Sequence, residues 1–386
     1  MTRFKLSSRY FLAALALGVF GLLAGCDKDK DIEPPAELVD FKSSLDVDRV
    51  WSVSIGGGDP VMRAGLAPAV DGEVVYAAGR DGEVLAISQA NGKTLWRART
   101  RSELTGGPGA GFGIVAVGSA NGELIALDQA TGSILWTVSV GGEVLSAPAI
   151  ASDAVIVRTV AGVLLGLSRE DGKTLWREEQ QIPRLTLRGA AAPVVAGNAA
   201  ICGFDNGRVI AAETRNGEVL WEQLVSAPSG RTELERMVDI DAAVKVSGVD
   251  VFVAGFQGRV AMLALDSGQS WWSRELSSYR GLDVDDESVY VSTANGEVVS
   301  LRRRSGVEVW RQAGLRLRGL SAPVVIGSYV AVADFEGYVH WLNAGTGAFV
   351  ARTKAGARVS NPPVRAGDLI VLQDDEGRVT AFRPRG

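Results

Sequence analysis

The side chains able to do covalent or metal chemistry in this 386-residue chain are few: one histidine, His340, and two cysteines, Cys26 and Cys202. A structural zinc centre takes about four imidazole or thiolate ligands, so the supply is too small for one. Carboxylates are plentiful, and Asp283-Val-Asp-Asp-Glu287 is the densest run. Calcium needs roughly six to eight oxygens arranged around it, whereas a turn linking two strands accounts for this run without a ligand. His340 falls where other stretches carry Leu85, Ile125, Leu165, Ile210 and Val299, which reads as a half-buried strand position. Cys202, in Ala-Ala-Ile-Cys-Gly-Phe, reads as a small buried hydrophobe. No catalytic, cofactor-binding or metal-ligating residues are assigned.

Cys26 has a different chemistry. Arg3, Lys5 and Arg9 precede an apolar run from Tyr10 to Leu23, the charged and hydrophobic parts of a secretory signal. The run is shorter than the roughly 20 residues of a membrane span. It ends in Leu23-Ala24-Gly25-Cys26, which resembles a bacterial lipobox. The resemblance implies a signal peptide over residues 1–25, cleavage before Cys26 and acylation of its thiol and new amino group, palmitate included. Several acyl chains would anchor the protein stably, where one would not. Residues 26–41 then read as the lipidated Cys and a charged, Pro-containing flexible tether, and 42–386 as the folded domain. Asp27 resembles the inner-membrane retention signal of enteric bacteria, which leaves that placement open beside the outer membrane.

The elements that must position any functional residue come from one repeated sentence. Gly82 leads to Trp96, Gly122 to Trp136, Gly162 to Trp176, Gly207 to Trp221, Gly258 to Trp272 and Gly296 to Trp310, always fourteen residues apart. A second Gly precedes each Trp by four: Gly92, Gly132, Gly172, Gly217, Gly268 and Gly306. Two short apolar runs around a Gly turn read as a β-hairpin. Between repeats lies another strand pair, often opened by Pro68, Pro108, Pro148, Pro193, Pro323 or Pro363, since Pro suits the start of a strand. Four antiparallel strands in about 40 residues make a β-propeller blade. A seventh copy has Ala351 in place of Trp, with Trp341 nearby as a candidate to fill the gap. An eighth starts at Gly377 and ends before its outer strand. Val50–Ile55 at the other end supplies the missing strand. The expectation is an all-β, eight-bladed propeller closed by pairing the N- and C-terminal segments, with seven blades as the fallback. Each Trp should fill the wedge between blades, worth on the order of 2–3 kcal/mol.

The net charge is −5, and about −8 without the signal, which argues against nucleic-acid binding. Arg302–Arg304 reads as a solvated turn. Gly-x-hydrophobic-x-Ala-Leu-Asp-x-x-x-Gly-x-x-x-Trp resembles the repeat of pyrroloquinoline-quinone (PQQ) dehydrogenases and their non-enzymatic relatives. Such enzymes need vicinal cysteines and a Ca²⁺ site; Cys202 is the single thiol left after Cys26 is lipidated. A periplasmic PQQ-dependent oxidoreductase is therefore the alternative, and the expectation is a non-enzyme without cofactor.

Repeat proteins place insertions on their functional face. The connector after Trp176 runs seventeen residues to Pro193, and that after Trp221 about twenty-two, against twelve or thirteen elsewhere. The Trp51–Pro68 connector is also long. Leu185-Thr-Leu-Arg-Gly followed by Ala-Pro, and then Arg236-Met-Val-Asp-Ile-Asp241, resembles the BamB family of lipoproteins of the outer-membrane β-barrel assembly machinery. The resemblance spans lipobox, repeats and both connectors. It implies a non-enzymatic scaffold, anchored in the outer membrane and facing the periplasm, that assists insertion of outer-membrane β-barrels. Its implied partners are the POTRA region of the barrel subunit BamA and the other lipoproteins of the complex. Holding nascent barrel strands by β-augmentation is a further implied activity. An inner-membrane-anchored scaffold of another complex is the remaining alternative. The implied contact residues are Leu185 and Leu187 as apolar anchors and Arg188 as a polar one. Asp239 and Asp241 either contact basic groups or orient the loops. Leu317-Arg318-Gly319 repeats the Leu187-Arg188-Gly189 pattern, so Arg188 also reads as partly blade-building.

Overall fold

A computed structural model describes residues 33–58, 64–187, 189 and 191–385. Within them the chain forms eight four-stranded antiparallel sheets, the blades of an eight-bladed β-propeller. Blades 1 to 7 are continuous in sequence: 69–99, 104–139, 149–179, 194–224, 245–275, 282–312 and 324–354. Blade 8 joins the ends of the chain. Its outer strand is Asp46–Ser54, paired antiparallel with the last strand, Arg378–Arg385, so that Trp51 faces Ala381 and Ser54 faces Arg378. The innermost strands touch in a closed cycle, blade 8 meeting blade 1 as any other pair does.

The middle strands of each blade are covered on both faces by neighbouring blades. They therefore run nearly continuously apolar, as in Val74–Ala78 and Ala154–Arg158, instead of alternating. Eight apolar layers fill the eight gaps between blades. Outer strands are buried mainly through the repeated Trp, as at Trp136 in Ile134–Ser139. Five of the six prolines sit just before an inner strand. Pro108 lies inside Leu104–Gly111, where the ladder to its neighbour loses register.

The repeated Trp and the second repeated Gly form one contact that crosses between blades. The indoles of Trp51, Trp96, Trp136, Trp176, Trp221, Trp272 and Trp310 lie over Gly92, Gly132, Gly172, Gly217, Gly268, Gly306 and Gly347 of the following blade. A Cβ at these glycines would fall 2.5–2.8 Å from the indole or its Cβ, closer than real contacts allow. Each indole N–H also donates to a carbonyl of that blade: Gln89, Gln129, Arg169, Thr214, Leu265, Arg303 and Ala344 in turn.

Blade 7 lacks its Trp because the gap is filled from elsewhere. Ala351 faces Trp341 across the ladder, and both lie in one layer with Leu45 and Phe382. Blade 8 has no hairpin turn there, since its outer strand enters from the N-terminus, and Leu45 arrives in its place. Residues 36–41, expected as flexible tether, pack instead along blades 6 and 7.

His340, expected half-buried, is fully buried in Tyr338–Asn343. Arg303 departs from the solvated turn: it reaches blade 5, where it bonds the Ser247 carbonyl and pairs with Asp250 at 3.1 Å. The Asp283–Glu287 run is a strand turn, its Asp285 carboxylate accepting the N–H of Glu287 and Ser288. Among the described residues no helix is long and apolar enough to cross a membrane.

Candidate partner-docking site

Two long connectors leave the outer strands Thr174–Glu179 and Val219–Leu224 and enter the next inner strands, Val194–Ala196 and Lys245–Ser247. Being consecutive and of the same type, they emerge side by side on one face at blades 3, 4 and 5.

The second connector is anchored at its end. Met237, Val238 and Ile240 are buried, and Ile240 joins the layer between blades 4 and 5. The Ile240 N–H donates to the Phe204 carbonyl, while the Asp239 carbonyl accepts the Phe256 N–H. Upstream, the Glu235 carboxylate accepts the N–H of Arg231 and Thr232, and the Thr232 hydroxyl accepts the Glu235 N–H. This reciprocal arrangement is a capping box. The Arg231 and Thr232 N–H groups hold the Glu235 carboxyl below its usual range. The turn it fixes presents Leu234, 60% exposed.

The first connector is held by the second. The Leu187 N–H donates to the carboxylate of Asp239, which is completely buried. Two residues later the backbone passes so near Asp241 that a Cβ on Gly189 would fall 2.3 Å from its carboxyl carbon. Leu185 and Leu187 are left 41% and 39% exposed on this support.

Beneath the loops lies a buried charged cluster. Arg158, with no exposed surface, pairs with Asp205 at 2.6 Å and lies 5.0 Å from the Phe204 ring. Burial, with Asp205 and Asp239 adding repulsion, pushes the Asp241 carboxyl up to about 8. Burial raises Asp239 to about 6, opposed by the Leu187 N–H. A proton retained on Asp241 near neutrality limits the negative charge packed around Arg158. The buried thiol of Cys202 is pushed up to about 12, first by burial.

The structure thus brings Leu185, Leu187, Asp239 and Asp241 together, with the leucines outward and the acids inward. Arg188 lies outside the described residues, as do Cys26 and Asp27. Arg318, its counterpart in the repeated pattern, is buried and pairs with Asp334 at 2.8 Å. Sequence reasoning missed Leu234, whose signal was a lone apolar residue between two glutamates. It also missed Arg158, an arginine in the register position that Ala78, Gly203 and Ala254 hold in other blades.

A family model described as outer membrane protein assembly factor BamB matches residues 42–103, 80–312 and 294–385. The chain is 50% identical to outer membrane protein assembly factor BamB of Pseudomonas aeruginosa over 377 residues, 97% of this chain and 98% of that one. It is similar to the crystal structure of BamB from Moraxella catarrhalis, with a TM-score of 0.81 and 28% identity over 87% of this chain and 99% of that one. A quinohemoprotein alcohol dehydrogenase from Comamonas testosteroni shares the fold alone: TM-score 0.70, 12% identity, covering 88% of this chain and 76% of that one.

Proposed function

The chain belongs to the family of outer membrane protein assembly factor BamB, and from that premise we propose that it is a non-enzymatic scaffold docking on the barrel-forming subunit of the assembly complex. Its role is in outer membrane protein assembly. The docking surface is the pair of long connectors, and the partner region is the POTRA domains of a BamA-like subunit. The observation that carries this reading is the Leu187 N–H to Asp239 bond, which joins the two connectors and turns two leucines outward. Exposed apolar side chains on a braced, hydrogen-bonded loop lose little entropy on binding, the condition for an interface anchor. Leu185 and Leu187 would enter an apolar pocket of the partner, and Arg188 would meet an acid or a carbonyl. Asp239 and Asp241 would act from below by fixing loop shape.

Acylated Cys26 would tether the propeller to the periplasmic face of the outer membrane, beside the other lipoproteins of the complex. Asp27 keeps inner-membrane retention as the competing placement. Nascent barrel strands would be a second ligand, added at the exposed outer edges of blades. The decisive test is binding of a soluble POTRA fragment by the purified propeller, wild type against Leu187→Ala. Equal affinity in two folded proteins would move the site off these connectors.

A further inference from the structure

The single histidine is wired to the segment that precedes the ring. Residues 36–45 run along blades 6 and 7 as a strap. The Ala36 N–H donates to the Arg316 carbonyl, and the N–H groups of Ser44 and Leu45 donate to the Val350 carbonyl. Leu38 packs on the layer between these blades, and the Phe41 ring stacks 5.5 Å from Phe349. Two arginines grip the strap between these points. Arg318 donates to the Ala36 carbonyl at 3.0 Å and Arg352 to the Val39 carbonyl at 3.2 Å. The Arg352 guanidinium also lies 5.1 Å from the Phe41 ring.

Both arginines lead to His340. Arg318 donates to Asp334 Oδ2 at 2.8 Å, and His340 Nε2 meets the same oxygen at 3.0 Å. On the other side of the ring, Arg352 Nε donates to His340 Nδ1 at 3.3 Å. Because Nδ1 accepts, the proton sits on Nε2 and the imidazole is neutral. A continuous path therefore runs from the Ala36 carbonyl through Arg318, Asp334, His340 and Arg352 back to the Val39 carbonyl.

We propose that His340 is a proton-sensitive latch for this strap: protonation at Nδ1 expels Arg352 and loosens the strap's hold on blades 6 and 7. An imidazolium has no acceptor for the Arg352 Nε–H, and it sets two cations face to face in a buried site. Asp334 stays paired through Nε2, so the strain falls on the Arg352 side, which is partly exposed and able to move. The charged and titratable groups around the ring are Asp334, Arg318 and Arg352, with Glu336 pairing Arg318, Tyr338 beside the ring, Lys354 over Tyr338, and Asp40 of the strap near Arg352. Burial first, then Arg352 and Arg318, lower the His340 pKa, while Asp334 pulls the other way. The latch is therefore closed at neutral pH and opens below the ordinary histidine range.

Hydrogen exchange of the full chain tests this, read on the strap amides of Ala36, Ser44 and Leu45 after correction for intrinsic rates. The strand Leu369–Gln373 is the internal control. In wild type, strap protection should fall about tenfold or more between pH 7.5 and about pH 4.5 while the control strand stays protected. His340→Gln, whose amide accepts from Arg352 and donates to Asp334 but does not titrate, should keep the strap protected throughout. Arg352→Ala should unprotect it already at neutral pH. Constant strap protection in wild type, or an equal fall in His340→Gln, would overturn the latch. If His340→Gln does not fold, a protected strap in Arg352→Ala at neutral pH overturns it independently.

Discussion

Trp51 lies over Gly92, and its indole N–H donates to the Gln89 carbonyl of the same turn at 2.7 Å. The contact joins the N-terminal strand, which completes blade 8, to blade 1. It has the same form as the six Trp–Gly contacts further along the ring, so the closure is built from the same parts as the repeats.

Gly92 has a left-handed φ of +73° and no room for a Cβ beside Trp51. Gly92→Ala should destabilise by about 3 kcal/mol, combining backbone strain with overpacking. Trp51→Ala should cost about 3–5 kcal/mol by leaving a cavity. The double variant should cost clearly less than the sum, because removing the indole relieves the clash. Denaturant midpoints of the four proteins give the coupling.

Leu187→Ala should weaken POTRA binding about tenfold, near 1.4 kcal/mol, with little change in stability. Asp239→Ala should weaken binding comparably although Asp239 is buried, because the Leu187 N–H loses its acceptor. It should also cost about 1–3 kcal/mol of stability. Calorimetric titration separates the two effects; unchanged affinity in a folded Asp239→Ala would remove its positioning role.

The two raised carboxyls have a defined sign. Asp239 near 6 and Asp241 near 8 both lie above the unfolded value of 3.8, so the folded state binds more protons through that window. Their contribution is present at low pH and is lost as pH rises through about 6 and then about 8. Asp241→Asn, which cannot ionise, should therefore raise the melting temperature more at pH 8.5 than at about pH 5. An equal shift at both would mean that folding does not hold the Asp241 proton above about pH 5.

Restoring the consensus in blade 7 should fail. Ala351→Trp places an indole where Leu45, Trp341 and Phe382 already pack, and should cost at least about 1–3 kcal/mol. Leu45→Ala should cost about 2–5 kcal/mol. Thermal unfolding of the two variants checks both.

Cys26→Ala should release the protein from membranes in its native host, whereas the wild type should fractionate with the outer membrane. Recovery of wild type in the inner membrane would support the Asp27 signal instead.

The blades were legible because the Gly and Trp spacing is local: both residues of a hairpin lie within fifteen positions. The partner of each Trp was not, since it belongs to the next repeat and only the ring brings them together. Trp341 was legible as a filler for the gap at Ala351 because it lies ten positions away; Leu45, which shares that layer, lies some 300 residues away. At the docking site, exposed Leu185 and Leu187 stood out in a long connector. The bracing bond between Leu187 and Asp239 crosses two connectors and a whole blade, so no spacing announced it. The strap was misread as tether because its charged, Pro-containing composition is that of a flexible segment. What holds it are long-range arginine contacts.

The pairing of Asp46–Ser54 with Arg378–Arg385 also sets a clock. The first strand to be made is among the last to find its place, because about 320 residues separate it from its partner. Until the last strand is in place, the first keeps an open edge. Asp46, Asp48 and Arg49 interrupt its apolar character, as gatekeeping charges do in segments exposed during synthesis. A chain cut short before Phe382 loses the template for Trp51 as well as its own last strand, so a small C-terminal truncation unlocks both ends of the ring.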